Sequence, residues 1–447
     1  MTIRFKPYPE YKSYDSGPLS ELPSSWEMRK LKFISQVRPS NVDKKTEAGQ
    51  LPVRLCNYND VYKNEYIDNS FEFMNATATP EEIETFQIRK DDVIITKDSE
   101  DWLDIAVPSL VEAECPKTLC GYHLAIIRPD SQKSDGRFLL RAFQSAAVNH
   151  QFRVSANGIT RFGLSKSAIS SSVLPVPPLL EQRAIADFLD RETARIDGII
   201  EKEKKLIELL KEKRSALITR AVTKGLDPNV KMKPSGVSWI EKVPEHWTIK
   251  KIKFVADFVN GFAFSSDEYT DLGAPIIRIG DLQEHIDLDN TKRFPLSKLQ
   301  SLGKFRIQRG DLLVALTGAT IGKAFDYDLD DLAYLNQRVG ILRGREVFNR
   351  YLSYFIRSYL VNEIIGFLCN GGAQENIGKP QVGNIYIPIP PRQEQLEISE
   401  YLDAKGSEMN SQLMTVSKQA DLLKEYKQSL ITAAVTGKID VRGVSNA

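Results

Sequence analysis

The chain has 447 residues, 60 basic and 59 acidic side chains, a net charge of +1 and 42% hydrophobic content. These values describe a soluble globular protein of about three domains and exclude a disordered or fibrous chain. No run approaches the roughly 18 apolar residues of a membrane span. The N-terminal stretch MTIRFKPYPEYKSYD lacks an apolar signal core, the four cysteines form no C-x-x-C pair, and the four histidines lie far apart. Reduced thiols, a cytoplasmic location and no metal site are therefore expected. Near-neutral charge permits a local basic face, yet a protein gripping DNA unaided usually carries a clearer Lys and Arg excess. A DNA-binding role would call for a partner that supplies part of the phosphate grip.

Residues 1–20 form a polar arm with Pro7, Pro9 and Pro18, expected to be extended. LPSSWEMRKLKF (Leu22–Phe33) opens a first domain, 21–177, and VPEHWTIKKIKF (Val243–Phe254) opens a second, 243–390. Trp26 matches Trp247 and Phe33 matches Phe254 as apolar anchors, at a shift of 247 − 26 = 221. In each domain a turn precedes a short apolar β run, in FQIRKDDVIITKD (Phe86–Asp98) and FRIQRGDLLVALTG (Phe305–Gly318). LAIIRP (Leu124–Pro129) and VGILRG (Val339–Gly344) form a second matched strand pair. Amphipathic helices from Phe138 and Tyr351 lead into the Gly-containing loops SANGITRFG (Ser155–Gly163) and CNGGAQENIGK (Cys369–Lys379). Each domain closes on a proline-rich strand, LPVPPLLEQ (Leu174–Gln182) or IPIPPRQEQ (Ile387–Gln395).

The shared P-x-P-P-x-x-E-Q reads as a strand exit and a helix start. Proline suits the first helical turn, and Glu181 or Glu394 suits the positive end of the helix dipole. Two helices of about 40 residues follow, 178–225 and 391–437, separated from their neighbours by a linker, 226–242, and a tail, 438–447. Their ends, LLKEKRSALITRAVTKGLD (Leu209–Asp227) and LLKEYKQSLITAAVTGKID (Leu422–Asp440), are shifted by 422 − 209 = 213 and agree at 11 of 19 positions. Chance would give about one. The first helix has an apolar seam at Ile185, Leu189, Ile196, Ile199, Leu206, Leu210 and Leu217. The second has Ile398, Leu402, Met409, Leu413, Val416, Leu423 and Leu430. Gly225 and Gly437 stand where helix C-caps are expected. A helix this long and polar over most of its surface needs a partner, and the nearest candidate is its own copy. The fold class is therefore α+β: two duplicated α/β-type domains and two long helices, expected to pair as an antiparallel coiled coil about a pseudo-two-fold axis.

This order of parts, a Trp-containing start, a variable domain, P-x-P-P-x-x-E-Q and a helix ending L-I-T-x-A-V-T, all repeated once, resembles the DNA-specificity subunit of type I restriction-modification systems. The resemblance covers nearly the whole chain. It implies a non-catalytic subunit whose two target-recognition domains each read one part of a split, asymmetric site in double-stranded DNA. It further implies that the coiled coil spaces those domains and docks two modification (methyltransferase) subunits, with restriction subunits joining them. S-adenosylmethionine, ATP and Mg are implied for those partners, and no cofactor for this chain. A recognition module of another DNA methylation or defence system is the nearest alternative. A coiled-coil scaffold that binds only proteins is further off, because the copies keep their helices while their loops diverge.

Catalytic motifs are incomplete. An amino-methyltransferase needs Asn or Asp before P-P, and this chain has Val176-Pro177-Pro178 and Ile389-Pro390-Pro391. Gly318-Ala-Thr-Ile-Gly322-Lys323-Ala324 is one residue short of a phosphate-binding loop and lacks its Ser or Thr. For DNA reading, loops after strands are the natural carriers. The first-domain candidates are Lys97, Ser99, Asp101, Trp102, Tyr122, His123, Asn157, Thr160 and Arg161. Those of the second are Thr317, Thr320, Lys323, Asn336, Gln337, Arg338, Gln374, Asn376 and Lys379. Asn and Gln suit adenine edges and Arg suits guanine. Asn157 and Asn376 also suit turns, and Trp102 also suits a local core.

Overall fold

The computed structural model describes residues 5–15, 19–283, 286–369 and 376–443. Two compact units partition the chain, residues 1–203 with 418–447, and residues 204–417.

In the first unit, the matched apolar runs become sheet neighbours. The five-stranded order is Ser35–Pro39, Leu124–Pro129, Val93–Thr96, Pro108–Val111, Tyr66–Ile67, antiparallel except for the last pair. The central strand is buried on both faces. Val93 and Ile95 join a core with Phe138, Leu139 and Phe143, while Ile94 joins Cys56, Val61 and Cys120. That alternation follows from the two-residue side-chain period of a strand. The second unit repeats the scheme in the order Ala256–Asn260, Val339–Gly344, Asp311–Ala315, Ala324–Tyr327. Leu312 and Val314 face Tyr351 and Phe355, and Leu313 and Ala315 face Ile277 and Leu335. A buried carboxylate locks each sheet at the same place. Arg128 makes two hydrogen bonds to Asp92, at 2.7 and 2.6 Å, and Arg343 makes two to Asp311, at 2.6 and 2.7 Å.

The amphipathic stretches expected as single helices are each broken in two. Gly136–Gln144 is followed by Ala146–Ser155, and Asn349–Ile356 by Tyr359–Cys369. The arm and the linker are also more ordered than expected. Tyr11–Ser13 pairs with Glu21–Pro23, and Met232–Val237 with Ile240–Pro244, so an antiparallel strand pair precedes the sheet domain of each unit. The tail is drawn into the first unit: Asp440 N–H donates to Lys6 O at 2.8 Å, and Tyr11 hydroxyl donates to Gly437 O at 2.9 Å.

The tryptophans and the proline-rich strands meet. Val173–Val176 pairs antiparallel with Glu27–Lys30, and Tyr386–Ile389 with Thr248–Lys251. At the end of each ribbon a fully buried indole donates to the motif's glutamate, Trp26 to Glu181 at 3.0 Å and Trp247 to Glu394 at 3.0 Å. Tyr8 hydroxyl adds a 2.7 Å bond to Glu181, and His246 lies 2.7 Å from Glu394. The neighbouring glutamine is used just as specifically. Gln182 bonds Pro177 O and Asp135 N–H, each at 2.9 Å, and Gln395 bonds Pro390 O and Phe348 N–H, each at 3.0 Å. The glutamates stand in the first turn of their helices, as the dipole favours, and serve as hydrogen-bond sockets as well. Phe33 and Phe254, expected as anchors, stand 56% and 60% exposed, each under a neighbouring lysine.

The long helices run Leu179–Lys224 and Arg392–Val435, and Gly225 and Gly437 follow at φ +74° and +70°. In the first unit, Ile185, Leu189 and Ile196 share a core with Leu430 and Ile431, and Lys427 pairs with Asp197 at 2.6 Å. In the second, Val222 and Leu217 share a core with Ile398 and Leu402, and Arg214 donates to Asn410 at 2.8 Å. The start of one helix meets the end of the other in both units, so the pair is antiparallel. Several seam positions need correction. Ile200 and Phe188 are buried where Ile199 is only half-buried, and Leu206 is 42% exposed. Leu210, Leu217, Leu413 and Leu423 are half-buried, whereas Met409 and Val416 are buried. Burial is deepest where a domain body backs the helix pair; two helices alone cover only a narrow stripe.

Candidate nucleic-acid interface

Three loops converge at one end of the two inner strands in each unit, where they build an exposed rim. In the first, Lys97 N–H donates to His123 O at 2.9 Å and Leu164 N–H donates to Lys97 O at 2.8 Å. Asp98–Ser99 pairs with Phe162–Gly163. The strand exit at 97–104, the turn at 121–123 and the loop at 155–164 are therefore joined through backbone bonds. In the second, Leu316 N–H donates to Arg338 O at 3.0 Å, Ile377 N–H donates to Leu316 O at 2.9 Å, and Thr317 bridges Asn376. The same three places in the chain meet again.

Side chains on the shared frame differ. In the first unit Asp98 holds Lys97 Nζ at 2.8 Å and His123 Nδ1 at 3.0 Å, and the Lys97 ammonium lies 4.6 Å from the half-exposed Tyr122 ring. Trp102 is 48% exposed on a short turn that Asp101 caps by accepting from Leu103 N–H at 2.9 Å. Asn157, Thr160 and Arg161 are exposed. In the second unit Lys323, Gln337, Arg338, Asn376 and Lys379 are exposed, and Thr317 and Thr320 are half-buried. Gln374 lies outside the described residues.

Two candidates are buried: Ser99 is 6% exposed and Asn336 is 9% exposed. Ser99 Oγ accepts from Asp101 N–H at 3.2 Å, so it shapes its loop from inside. Asn336 likewise closes its turn: its Oδ1 accepts from Arg338 N–H at 3.4 Å and its main-chain O from Val339 N–H at 3.0 Å. The phosphate-loop-like glycines have a conformational cause, since Gly318 sits at φ +72° with open space around it. Gly322 sits at φ +77°, where a Cβ would come within 2.7 Å of Ile365. Among the described residues no cluster of His, Cys, Asp and Glu fits a metal, all four cysteines are buried, and no helix is long and apolar enough to cross a membrane. Ile159, absent from the expected set, is the conspicuous addition at this edge.

The fold thus defines a duplicated two-unit protein that carries two loop-built edges and a pair of long antiparallel helices. The chain belongs to the type I restriction modification DNA specificity domain family, whose pattern matches residues 23–209 and 244–416. It is 26% identical to the type I restriction enzyme MjaVIII specificity subunit of Methanocaldococcus jannaschii, a match spanning 63% of this chain and 65% of that one. It is 22% identical to the putative MjaX specificity subunit of the same organism, over 99% of this chain and 100% of the other. The Escherichia coli EcoKI specificity subunit is 23% identical over 69% of this chain and 68% of its own length. Among solved structures, the HsdS subunit from Thermoanaerobacter tengcongensis matches in fold with a TM-score of 0.55 at 19% identity, covering 95% of this chain and 100% of that chain. A chain from a study of complex assembly and conformational transition of the type I R-M system reaches 0.70 at 17% identity, covering 93% of this chain and 98% of the other.

Proposed function

We propose that this chain is the DNA-specificity subunit of a type I restriction-modification complex, each unit's three-loop edge reading one half of a bipartite, asymmetric site. The observation that carries this reading is one frame built twice with different side chains on the same three loops. A shared frame fixes how each edge is presented, and the side chains decide which bases it accepts. The subunit does no chemistry itself and works in the cytoplasm. It takes no cofactor: S-adenosylmethionine, ATP and Mg act in two modification subunits and the restriction subunits. The long helices dock the modification subunits and set the spacing of the half-sites. At 46 and 44 residues each is roughly 65–70 Å long, against about 34 Å for one turn of B-DNA.

The test replaces residues 243–390 with the second recognition domain of another family member and maps methylated adenines in DNA exposed to the complex. One half-site should change while the other half and the spacer stay as they were. A change in both halves would sink the modular reading.

A further inference from the structure

Ile159 is 95% exposed, the most exposed large apolar side chain among the described residues. Its position is imposed by the backbone. Asn157 and Gly163 exchange both main-chain hydrogen bonds, at 3.1 and 2.9 Å, closing the loop into a tight tip. Gly158 makes the turn at φ +146°, where a Cβ would fall 1.8 Å from Arg161 O. The tip is then tied to the strand exit through Phe162 opposite Ser99 and through Leu164 N–H to Lys97 O at 2.8 Å. The closed tip holds Ile159 out in solvent, away from the domain core. It stands beside exposed Asn157, Thr160 and Arg161, residue types that bond polar base edges. The groove edges of base pairs are polar with one exception, the C5-methyl group of thymine in the major groove. A fixed aliphatic side chain among polar readers matches that exception.

Resting on the DNA-reading function proposed above, we infer that Ile159 reads thymine: its side chain meets the C5-methyl group of one thymine in the half-site of the first unit. The contact excludes water from two apolar groups, and its worth is about that of one buried methyl, roughly fourfold in affinity.

The test uses the chain assembled with its modification subunits and duplexes carrying the site mapped from methylated adenines. Each thymine is replaced in turn by deoxyuridine, which removes only the methyl, and binding of the wild-type and Ile159→Ala complexes is followed by fluorescence anisotropy. Wild type should lose about fourfold at one position in one half-site. Ile159→Ala should show that loss already on the thymine duplex and no further loss on deoxyuridine. Equal sensitivity of both complexes at every thymine would overturn the assignment, as would a first half-site without thymine on either strand. If neither complex shows salt-dependent binding to any of these duplexes, the DNA-reading function itself fails, a result distinct from loss of the Ile159 contact alone.

Discussion

Glu181 shows how a single residue can be read correctly in type and place and still hold a second task. An acid in the first turn of a helix suits the dipole, but here the carboxylate is 7% exposed and accepts from both Trp26 and Tyr8. Burial and the bond to Glu181 push the Tyr8 phenol far above its usual range. Glu181→Leu would orphan two buried donors, at about 1–3 kcal/mol each. The melting temperature of the whole chain should fall by several degrees, and more than in Trp26→Phe, which removes one donor. At the proposed reading surface Arg161 is exposed on the tip that also carries Ile159. Arg161→Ala should weaken binding to duplexes with a correct first half-site by about tenfold or more. Unchanged affinity across a panel of half-site variants would remove it from the interface. The partner of Glu181 lies 155 residues away, beyond any local pattern. A signal was still present, since tryptophan and glutamate recur together as Trp247 and Glu394.

Elements were more legible than contacts because hydrophobic period survives without knowledge of the partner. The apolar runs at Val93–Thr96 and Asp311–Ala315 became central strands, and the 40-residue seams became long helices. What the period could not show was where those helices have a third surface to lean on. Ile196 is 1% exposed in a shared core, whereas Leu206 is 42% exposed although the seam includes both. Ile196→Asp places a carboxylate in that core and should cost on the order of 3–5 kcal/mol. Leu206→Asp should cost far less. Urea unfolding of the two variants distinguishes them, and equal losses would contradict the burial pattern. The candidate loops were chosen by their place after strands, and their inward members, Ser99 and Asn336, needed coordinates to be separated from the outward ones.

At the scale of the molecule, the connections of the two units correspond. In the second unit the end of a long helix passes through the hairpin Met232–Pro244 into a recognition domain. In the first, the end of the other helix reaches Asp440, bonded to Lys6, and the paired strands Tyr11–Ser13 and Glu21–Pro23 lead into the other domain. Only covalent continuity is missing there. A chain joined across Lys6 and Asp440 by a short loop, and opened within 226–231, should fold and direct methylation to the same sites. Loss of folding would show that the linker does more than connect.

The indole-to-carboxylate and amide-to-carbonyl sockets also bear on inheritance. The segment between a tryptophan and the following P-x-P-P-x-x-E-Q is joined to its long helix at both ends by the same few bonds in both copies. Genetic crossovers at those two places would hand over a complete set of reading loops with both joints intact. A lineage could thereby acquire a new DNA site in one exchange, without first passing through a subunit that no longer fits its helices.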